Sequence, residues 1–213
     1  MPLIIVFAIV GGLAQFVDGS LGMGFGITSA TLLTLLGYSA VAASAGTHAA
    51  KMGTTLVSGL AHWREGNVDW RVLLAIGVPG SLGAFAGAVI LTNVSLDGAR
   101  VWMSLILLIL GISIVMRFAF GKTLIPQVKA RTRHLWPVGL FGGFVDATGG
   151  GGWGPVATPS LMTLTKHAPR KVVGTVSAAE FSVAVFASAG FLFGAKESQV
   201  PWGAVIGLII GGL

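Results

Sequence analysis

Five ionisable residues of this 213-residue sequence lie inside long apolar stretches. They are Asp18, His48, Lys51, Asp146 and Glu180. A charge at the centre of a lipid bilayer costs about 2.5–3.5 kcal/mol on insertion scales, so each such residue requires a solute, a proton-relay role or a buried partner. The acids form no paired-carboxylate motif, and the sequence contains no nucleophile motif. The residue types therefore favour ion binding and ion coupling over catalysis.

Lys51 and Glu180 carry opposite charges, and two interpretations of them stay open. Lys51 belongs to a polar stripe at helical spacing, which predicts a face directed at a cavity and a counter-charge for an anionic substrate. The stripe consists of Thr47, Lys51, Thr55 and Ser58. The alternative is a structural ion pair between Lys51 and Glu180.

Asp18, Asp146 and His48 also have two interpretations each. Both aspartates precede Gly-rich segments, where they could cap the next helix, because Asp is favoured at helix N-termini. They could instead form a coupling site for a proton or another cation. His48 can change its charge near neutral pH, or it can pack between helices through a hydrogen bond.

Two glycine clusters interrupt apolar runs and predict the substrate site. Their principal members are Gly22, Gly24 and Gly26 in one cluster, and Gly150, Gly152 and Gly154 in the other. A helix that begins at such a cluster presents free N–H groups and a dipole that favour an oxyanion. Glycine lets the anion reach those N–H groups without a Cβ in the way. Further donors could come from three nearby hydroxyls, those of Thr28, Thr148 and Thr158.

Phe25 and Trp153 stand beside the two clusters, where they could gate the site or pack in the core. Glycines in membrane helices also permit close packing, which is the alternative for any single one of them. A nucleotide-binding interpretation of residues 22–26 lacks support, because there is no Gly-Lys-Ser/Thr of a P-loop and no βαβ setting. We expect no metal and no cofactor.

Nine apolar segments must position these residues. They lie near 3–17, 22–36, 44–61, 72–94, 101–116, 135–146, 153–165, 172–194 and 202–213. A helix needs about 20 residues to span a bilayer, which three segments satisfy and 101–116 satisfies with its flanks. The pairs 3–17/22–36 and 135–146/153–165 have short, Gly-broken members. They predict discontinuous or re-entrant helices, which are tolerated where protein or a water-filled cavity surrounds them.

The composition is that of a membrane protein. Hydrophobic residues make up 54% of the chain and charged residues 9%, against about 25% charged in soluble proteins. The net charge of +6 is better explained by cytoplasmic loops than by a nucleic-acid partner, and we expect none. The chain has no cysteine, which excludes thiolate metal sites and cysteine nucleophiles.

The second half of the sequence repeats the first. At a shift of 128 residues, Val17-Asp18 aligns with Val145-Asp146, and Gly46-Thr47 aligns with Gly174-Thr175. The glycines of the two clusters and the pair Phe25 and Trp153 align in the same register. We predict one repeat at 1–120, a basic linker at 121–134 and a second repeat at 135–213. The second repeat has no counterpart of segment 101–116, so we expect it to be incomplete at its C-terminus.

The basic residues predict an orientation. If each Gly-broken pair returns to its starting side, loops 62–71, 117–134 and 166–171 share one side and contain ten of the 13 Lys and Arg residues. The positive-inside rule places that side in the cytoplasm. Loop 37–43 carries no charge, whereas its repeat partner 166–171 is basic, so the halves are predicted to be inverted. Inverted repeats with broken helices are typical of secondary transporters.

The duplicated Gly-rich elements resemble those of the TauE/SafE sulfite exporter family (TSUP permeases). The first runs from Val17-Asp18-Gly19 to Gly26, and the second from Val145-Asp146-Ala147 to Pro155. The resemblance implies an all-α, polytopic carrier in a bacterial or archaeal cytoplasmic membrane. Its substrates would be sulfur-containing anions such as sulfite, thiosulfate, sulfoacetate or other organosulfonates. The expected partners are that anion, membrane lipid and, in a homodimer, a second copy of the chain.

One other class of function remains open. A cation, metal or proton-coupled transporter could use Asp18, His48, Asp146 and Glu180 as its ligands. Against a cation, the acids are few and the N-termini of half-helices have the wrong sign.

Overall fold

A computed structural model describes residues 2–120, 132–194 and 200–213. In these ranges the chain forms nine α-helices and one short 3-10 helix, with no strand. The α-helices are α1 Pro2–Leu21, α2 Phe25–Leu35, α3 Ala40–Arg64, α4 Trp70–Asn93, α5 Leu96–Phe120, α6 Leu135–Gly149, α7 Trp153–Leu164, α8 Pro169–Gly194 and α9 Trp202–Gly212. Most of the predicted linker 121–134 lies outside the described residues, so the proposed domain boundaries stay predictions.

The protein is an all-α, multi-pass membrane protein. Four of its described helices are long and apolar enough to cross a bilayer, namely α1, α4, α5 and α8. Helix α3 has 25 residues and is long enough as well, but it carries the buried charge of Lys51. Large hydrophobic side chains are exposed along α1, α4 and α5, as expected for surfaces in contact with lipid.

The prediction of a short first helix was wrong. Helix α1 does not stop near residue 17 but continues to Leu21, which gives it 20 residues. Gly19 lies inside this helix, where a glycine costs only about 1 kcal/mol relative to alanine. The chain breaks three residues later, at Gly22, whose φ of 67° lies in the left-handed region. The sequence did not distinguish a glycine that ends a helix through a positive φ, such as Gly22, from one that a helix tolerates, such as Gly19.

The two repeats are inverted relative to one another. Helices α3 and α8 are repeat equivalents, and they pack antiparallel. A Cβ at Gly46, near the start of α3, would lie 2.9 Å from Pro201 Cγ, beyond the end of α8. The equivalent Gly174, near the start of α8, approaches Asn67, beyond the end of α3, with 2.9 Å to its Cβ. These reciprocal contacts are what a two-fold axis perpendicular to the helices requires.

Close helix pairs hold the repeats together. Helix α4 packs against α6, and its counterpart α9 packs against α1, so the contacts are again exchanged between the halves. At the first interface a Cβ on Gly143 would lie 2.7 Å from the carbonyl carbon of Gly80. At the second, a Cβ on Gly211 would lie 2.5 Å from the carbonyl carbon of Ala8. At these positions glycine permits backbone contact between helices, as is common in membranes.

Candidate functional site

Both Gly-rich elements form a break between two helices. Residues 22–24 separate α1 from α2, and residues 150–152 separate α6 from α7. Gly22 and Gly150 occupy the same place in the two breaks, with φ of 67° and 78°. Side chains rarely adopt this conformation. The amides of Gly22 and Gly150 bond to the carbonyls of Asp18 and Asp146, at 2.6 and 2.7 Å. The breaks are therefore the same structure built twice.

Each break is closed by an aspartate. Asp18 Oδ1 accepts a hydrogen bond from the N–H of Phe25 at 3.2 Å, the first residue of α2. Asp146 Oδ1 accepts one from the N–H of Trp153 at 3.0 Å, the first residue of α7. Each carboxylate thus accepts from an N–H group that has no partner within its helix. Its negative charge also interacts favourably with the positive end of the helix dipole.

The two breaks touch each other across the repeat. A Cβ on Gly26 would lie 2.6 Å from Gly151 Cα, and a Cβ on Gly154 would lie 2.7 Å from Met23 Cα. Thr158 of α7 donates a hydrogen bond to the carbonyl oxygen of Gly22 at 2.7 Å. The N-termini of α2 and α7 therefore meet in the interior, with backbone against backbone.

Unused donors lie at this junction. Among the described residues, no acceptor is bonded to the backbone N–H groups of Gly26 and Gly154, the second residues of α2 and α7. Four buried hydroxyls in the same part of the molecule also have no hydrogen-bond partner among the described residues, those of Ser29, Thr47, Thr54 and Ser177. Each is three or four residues from Gly26, Lys51 or Glu180 on its own helix, and such spacing places side chains on one helix face.

Lys51 lies at the centre of the junction and contacts two carboxylates. Its Nζ is 2.6 Å from Glu180 Oε1 and 2.9 Å from Asp146 Oδ1. A Cβ on Gly26 would lie 3.4 Å from the same Nζ, so the ammonium group stands beside the first break. Lys51 is 1% exposed and Asp146 is fully buried. The ammonium group comes from one repeat and both carboxylates come from the other.

His48 completes this central charge cluster of His48, Lys51, Asp146 and Glu180. Its Nε2 is 3.0 Å from Asp146 Oδ2, and its Nδ1 is 2.8 Å from the carbonyl oxygen of Ser44. Both partners are acceptors, so hydrogen bonds at both ring nitrogens require one proton more than a neutral imidazole and an ionised carboxylate provide. The His48–Asp146 pair is consequently suited to hold a proton.

Comparison with known proteins agrees with this architecture. The family model described as "Sulfite exporter TauE/SafE" matches residues 7–213. The chain belongs to the TauE/SafE family. It is 45% identical over 216 residues to the probable membrane transporter protein YtnM of Bacillus subtilis (strain 168), in an alignment that covers all of this chain and 72% of that protein.

More distant relatives have similar names. The chain is 28% identical over 216 residues to the probable membrane transporter protein YdhB of the same organism, covering 99% of this chain and 85% of that protein. It is 26% identical over 219 residues to a probable membrane transporter protein of Xylella fastidiosa (strain 9a5c), covering 95% of this chain and 78% of that protein. No solved structure matches. This TauE/SafE protein is a membrane transporter.

Of the remaining residues predicted for the site of this TauE/SafE protein, some lie at the junction and others do not. Gly24 and Gly152 precede α2 and α7 directly. Thr148 donates to the carbonyl oxygen of Phe144. Thr28 lies exposed on α2 and does not join the buried donors. Phe25 and Trp153 are almost completely buried, and Trp153 Nε1 donates to the carbonyl oxygen of Val176 at 3.1 Å.

The polar stripe of α3 faces protein. Thr47, Lys51 and Thr55 are buried, and α3 packs there against α8 of the other repeat. Lys51 itself is only 1% exposed, so its side chain is enclosed by protein. The expected approach of Lys51 to Glu180 is present, but Asp146 is a second partner that the sequence pattern did not indicate. The sequence contained little indication of this second contact, because an aspartate before a helix is already explained as a helix cap.

Proposed function

We propose that the protein is a secondary transporter that carries sulfur-containing anions, such as sulfite, thiosulfate, sulfoacetate or other organosulfonates, across the bacterial or archaeal cytoplasmic membrane. Alternating access would expose the junction of α2 and α7 first to one side and then to the other. The family description names sulfite export, which supports this substrate class. The observation that carries the proposal is the meeting of two helix N-termini with unused N–H groups beside Lys51.

The donors at the junction support binding of a small oxyanion. The N–H groups of Gly26 and Gly154 start two helices of opposite orientation, so an anion between them would receive both dipoles. The Lys51 ammonium group beside Gly26 adds a cationic donor, whose charge is largely balanced by Asp146 and Glu180. Unpaired buried hydroxyls are available for the remaining oxygen atoms of a tetrahedral or pyramidal anion. Neutral N–H donors hold an anion without trapping it, which suits a carrier.

Flux into proteoliposomes tests the substrate class. Purified protein would be offered sulfite, thiosulfate, sulfoacetate and a carboxylate of similar size. We expect saturable uptake of at least one sulfur anion, with little uptake of the carboxylate. Uptake of the carboxylate alone, or of none of the anions, would refute the proposal.

A matched pair of glycine variants tests the site. Gly152→Val places a side chain against Val145, where even a Cβ would lie 2.6 Å from Val145 Cγ1, and should abolish transport. Gly111→Val is the control, because a Cβ at Gly111 meets nothing within 4 Å. Equal transport by both variants, at equal protein levels, would remove the second break from the mechanism.

The charge cluster favours proton coupling as a second component of the function. Lys51 balances only one of the carboxylates of Asp146 and Glu180, and Asp18 is buried nearby in the equivalent break. An uncompensated buried carboxylate is costly, so an anion can enter this site more easily when a proton enters with it. The His48–Asp146 pair, which requires one additional proton, could carry it.

A pH-sensitive dye trapped in the proteoliposomes tests this coupling. We expect anion uptake to acidify the lumen, and its rate to change between about pH 5 and pH 8, the range in which an imidazole can change its charge. His48→Gln should weaken that dependence while leaving the protein folded, since the Gln amide NH2 can still donate a hydrogen bond to Asp146. Uptake without proton movement and with a flat pH profile would leave the carrier uncoupled from protons.

A further inference from the structure

A second feature with basic side chains lies outside the central junction. A cavity of about 630 Å³ opens at the end of the molecule where α3 and α5 finish and α8 begins. Its lining includes residues 19–21 at the end of α1, Met23 of the first break, four residues of α7, and the side chains of His62, Arg117 and Arg170. The four residues of α7 are Thr158, Pro159, Met162 and Thr163. We refer to it as the basic cavity. Its size is in the range of small-molecule binding sites.

The charges around this cavity have one sign. The described part of its lining includes Arg117 and Arg170 but no aspartate or glutamate. Within the described residues, neither arginine has a carboxylate within salt-bridge distance. Arg170 belongs to the first turn of α8, which contains no acidic residue, so the positive end of that helix dipole adds to the field.

The basic cavity lies next to the junction of α2 and α7. Met23 and Thr158 line it, and the same Thr158 is hydrogen-bonded to Gly22 of the first break. Met23 in turn packs against Gly154, the second residue of α7. One layer of residues therefore separates the cavity from the junction where the anion is proposed to bind.

We infer that the basic cavity is a second anion site, a vestibule in which Arg117 and Arg170 capture a small sulfonate or sulfur oxyanion before it reaches the central junction. The inference rests on the proposed function for its direction of travel, but binding in the cavity does not depend on transport. Guanidinium groups suit this role because their planar donors match oxyanions and remain charged. Two arginines at the mouth of a low-dielectric cleft also concentrate anions there.

The absence of native cysteine allows a direct test of the local potential. Thr163→Cys introduces a nearly isosteric reporter on the cavity wall. Its reaction rate would be measured with an anionic sulfonatoethyl and a cationic trimethylammonioethyl methanethiosulfonate, in nanodiscs of zwitterionic lipid at low salt. We expect the ratio of anionic to cationic rates, relative to a free thiol, to rise roughly three- to tenfold. Isethionate, an inert sulfonate, should slow the anionic reaction.

Charge variants on the reporter background decide whether the arginines cause the effect. Arg117→Gln with Arg170→Gln should return the rate ratio to that of a free thiol and remove protection by isethionate. Arg64→Gln is the control, since Arg64 ends α3 near the same end of the molecule but does not line the cavity. Equal rates for the two reagents, or a ratio unaffected by the double variant, would overturn the inference.

A lipid phosphate could satisfy the same arginines, so the measurement would be repeated with phosphatidylglycerol in the nanodiscs. Protection by isethionate in both lipids supports a vestibule for soluble anions. Protection by phosphatidylglycerol alone would overturn that assignment in favour of a lipid headgroup. A vestibule that fails this test while sulfonate flux persists leaves the proposed function standing. Protection by isethionate without flux would instead refute the transport proposal and keep the anion site.

Discussion

At the scale of single residues, ion pairs of Lys51 with Asp146 and Glu180 connect the two halves of the molecule. The Lys51 ammonium group lies within 2.9 Å of one oxygen of Asp146 and 2.6 Å of one oxygen of Glu180. Water contributes little screening there, because both Lys51 and Glu180 are nearly inaccessible. Desolvation of such charges is repaid only when the pairing is complete. The cluster is therefore sensitive to the removal of any one member.

Removing Lys51 should cost more than neutralising Glu180. Lys51→Ala leaves Glu180 without a counter-charge and leaves Asp146 with His48 alone, and we expect a loss of about 3–5 kcal/mol. Glu180→Gln leaves Lys51 paired with Asp146 and should cost less. Unfolding in detergent would be followed for both variants and for Lys51→Ala with Glu180→Ala, which should recover part of the loss. Wild-type stability and transport in both single variants would exclude these residues from structure and mechanism.

The two roles considered for Asp18 can be separated by comparing Asn and Ala. Asp18→Asn keeps an oxygen that can accept from the N–H of Phe25, whereas Asp18→Ala should lose about 0.5–2 kcal/mol as capping residues do. If Asp18 acts as a cap, the Asn variant transports normally. Loss of proton-dependent flux in a stable Asn variant would show that its charge is required. Thermal stability and flux would be measured on the same preparations.

At the scale of helices, glycine has two uses in this molecule. In the breaks, positive φ values at Gly22 and Gly150 redirect the chain. In α4, α6, α1 and α9, helical glycines allow backbones to touch, and small residues at such interfaces are a general feature of membrane helices. The second use explains why glycine is so abundant outside the breaks.

Gly143→Ala should destabilise the α4–α6 interface. The added methyl group would meet the backbone of Gly80, with 2.9 Å to its Cα, and overpacking of this kind costs about 1–3 kcal/mol. Gly111→Ala in α5 is the matched control, since its Cβ meets nothing within 4 Å and alanine is the better helix former. The difference in thermal unfolding between the two variants measures the effect. A Gly143→Ala protein as stable as Gly111→Ala would contradict the close packing described here.

At the scale of the whole molecule, cavities lie at both ends. The basic cavity opens near Arg117 and Arg170, and a smaller cavity of about 290 Å³ is lined by Asp97, Arg100 and Met103. Met103 packs towards Gly150 of the second break, as Met23 packs towards Gly154. At each of these two cavities, a short layer of side chains thus lies between the cavity and the junction. In proteins built from inverted repeats, movements of one half against the other can open one end or the other.

The membrane orientation is a prediction that labelling can check. Cysteines placed at Glu65 and Ser95, in the exposed connections that follow α3 and α4, should lie on opposite sides. The positive-inside rule places residue 65 in the cytoplasm. An impermeant maleimide should therefore label Ser95→Cys in intact cells and Glu65→Cys only after permeabilisation. The reverse pattern would show that the basic cavity faces outward.

Much of this architecture follows from local sequence features. The scarcity of charge demanded a membrane protein, because few charged residues cannot cover a water-exposed surface. The repeat of Val17-Asp18 at Val145-Asp146 predicted two equivalent breaks, and both are present. The basic loops predicted inversion, which the antiparallel packing of α3 and α8 shows. These features are readable because bilayer thickness and backbone hydrogen bonding act on short segments.

Other features were decided only by the tertiary structure. The sequence could not show that Asp146 both caps α7 and binds Lys51 and His48, because the three residues meet through contacts across almost one hundred positions. Nor could it show that α1 continues past Gly19, since a glycine tolerated in a helix and one that ends it look alike. The sequence placed Arg117 and Arg170 only in basic loops, whereas the packing of α5, α7 and α8 places both in the lining of one cavity. Distant contacts of this kind depend on how whole helices pack, which no local pattern encodes.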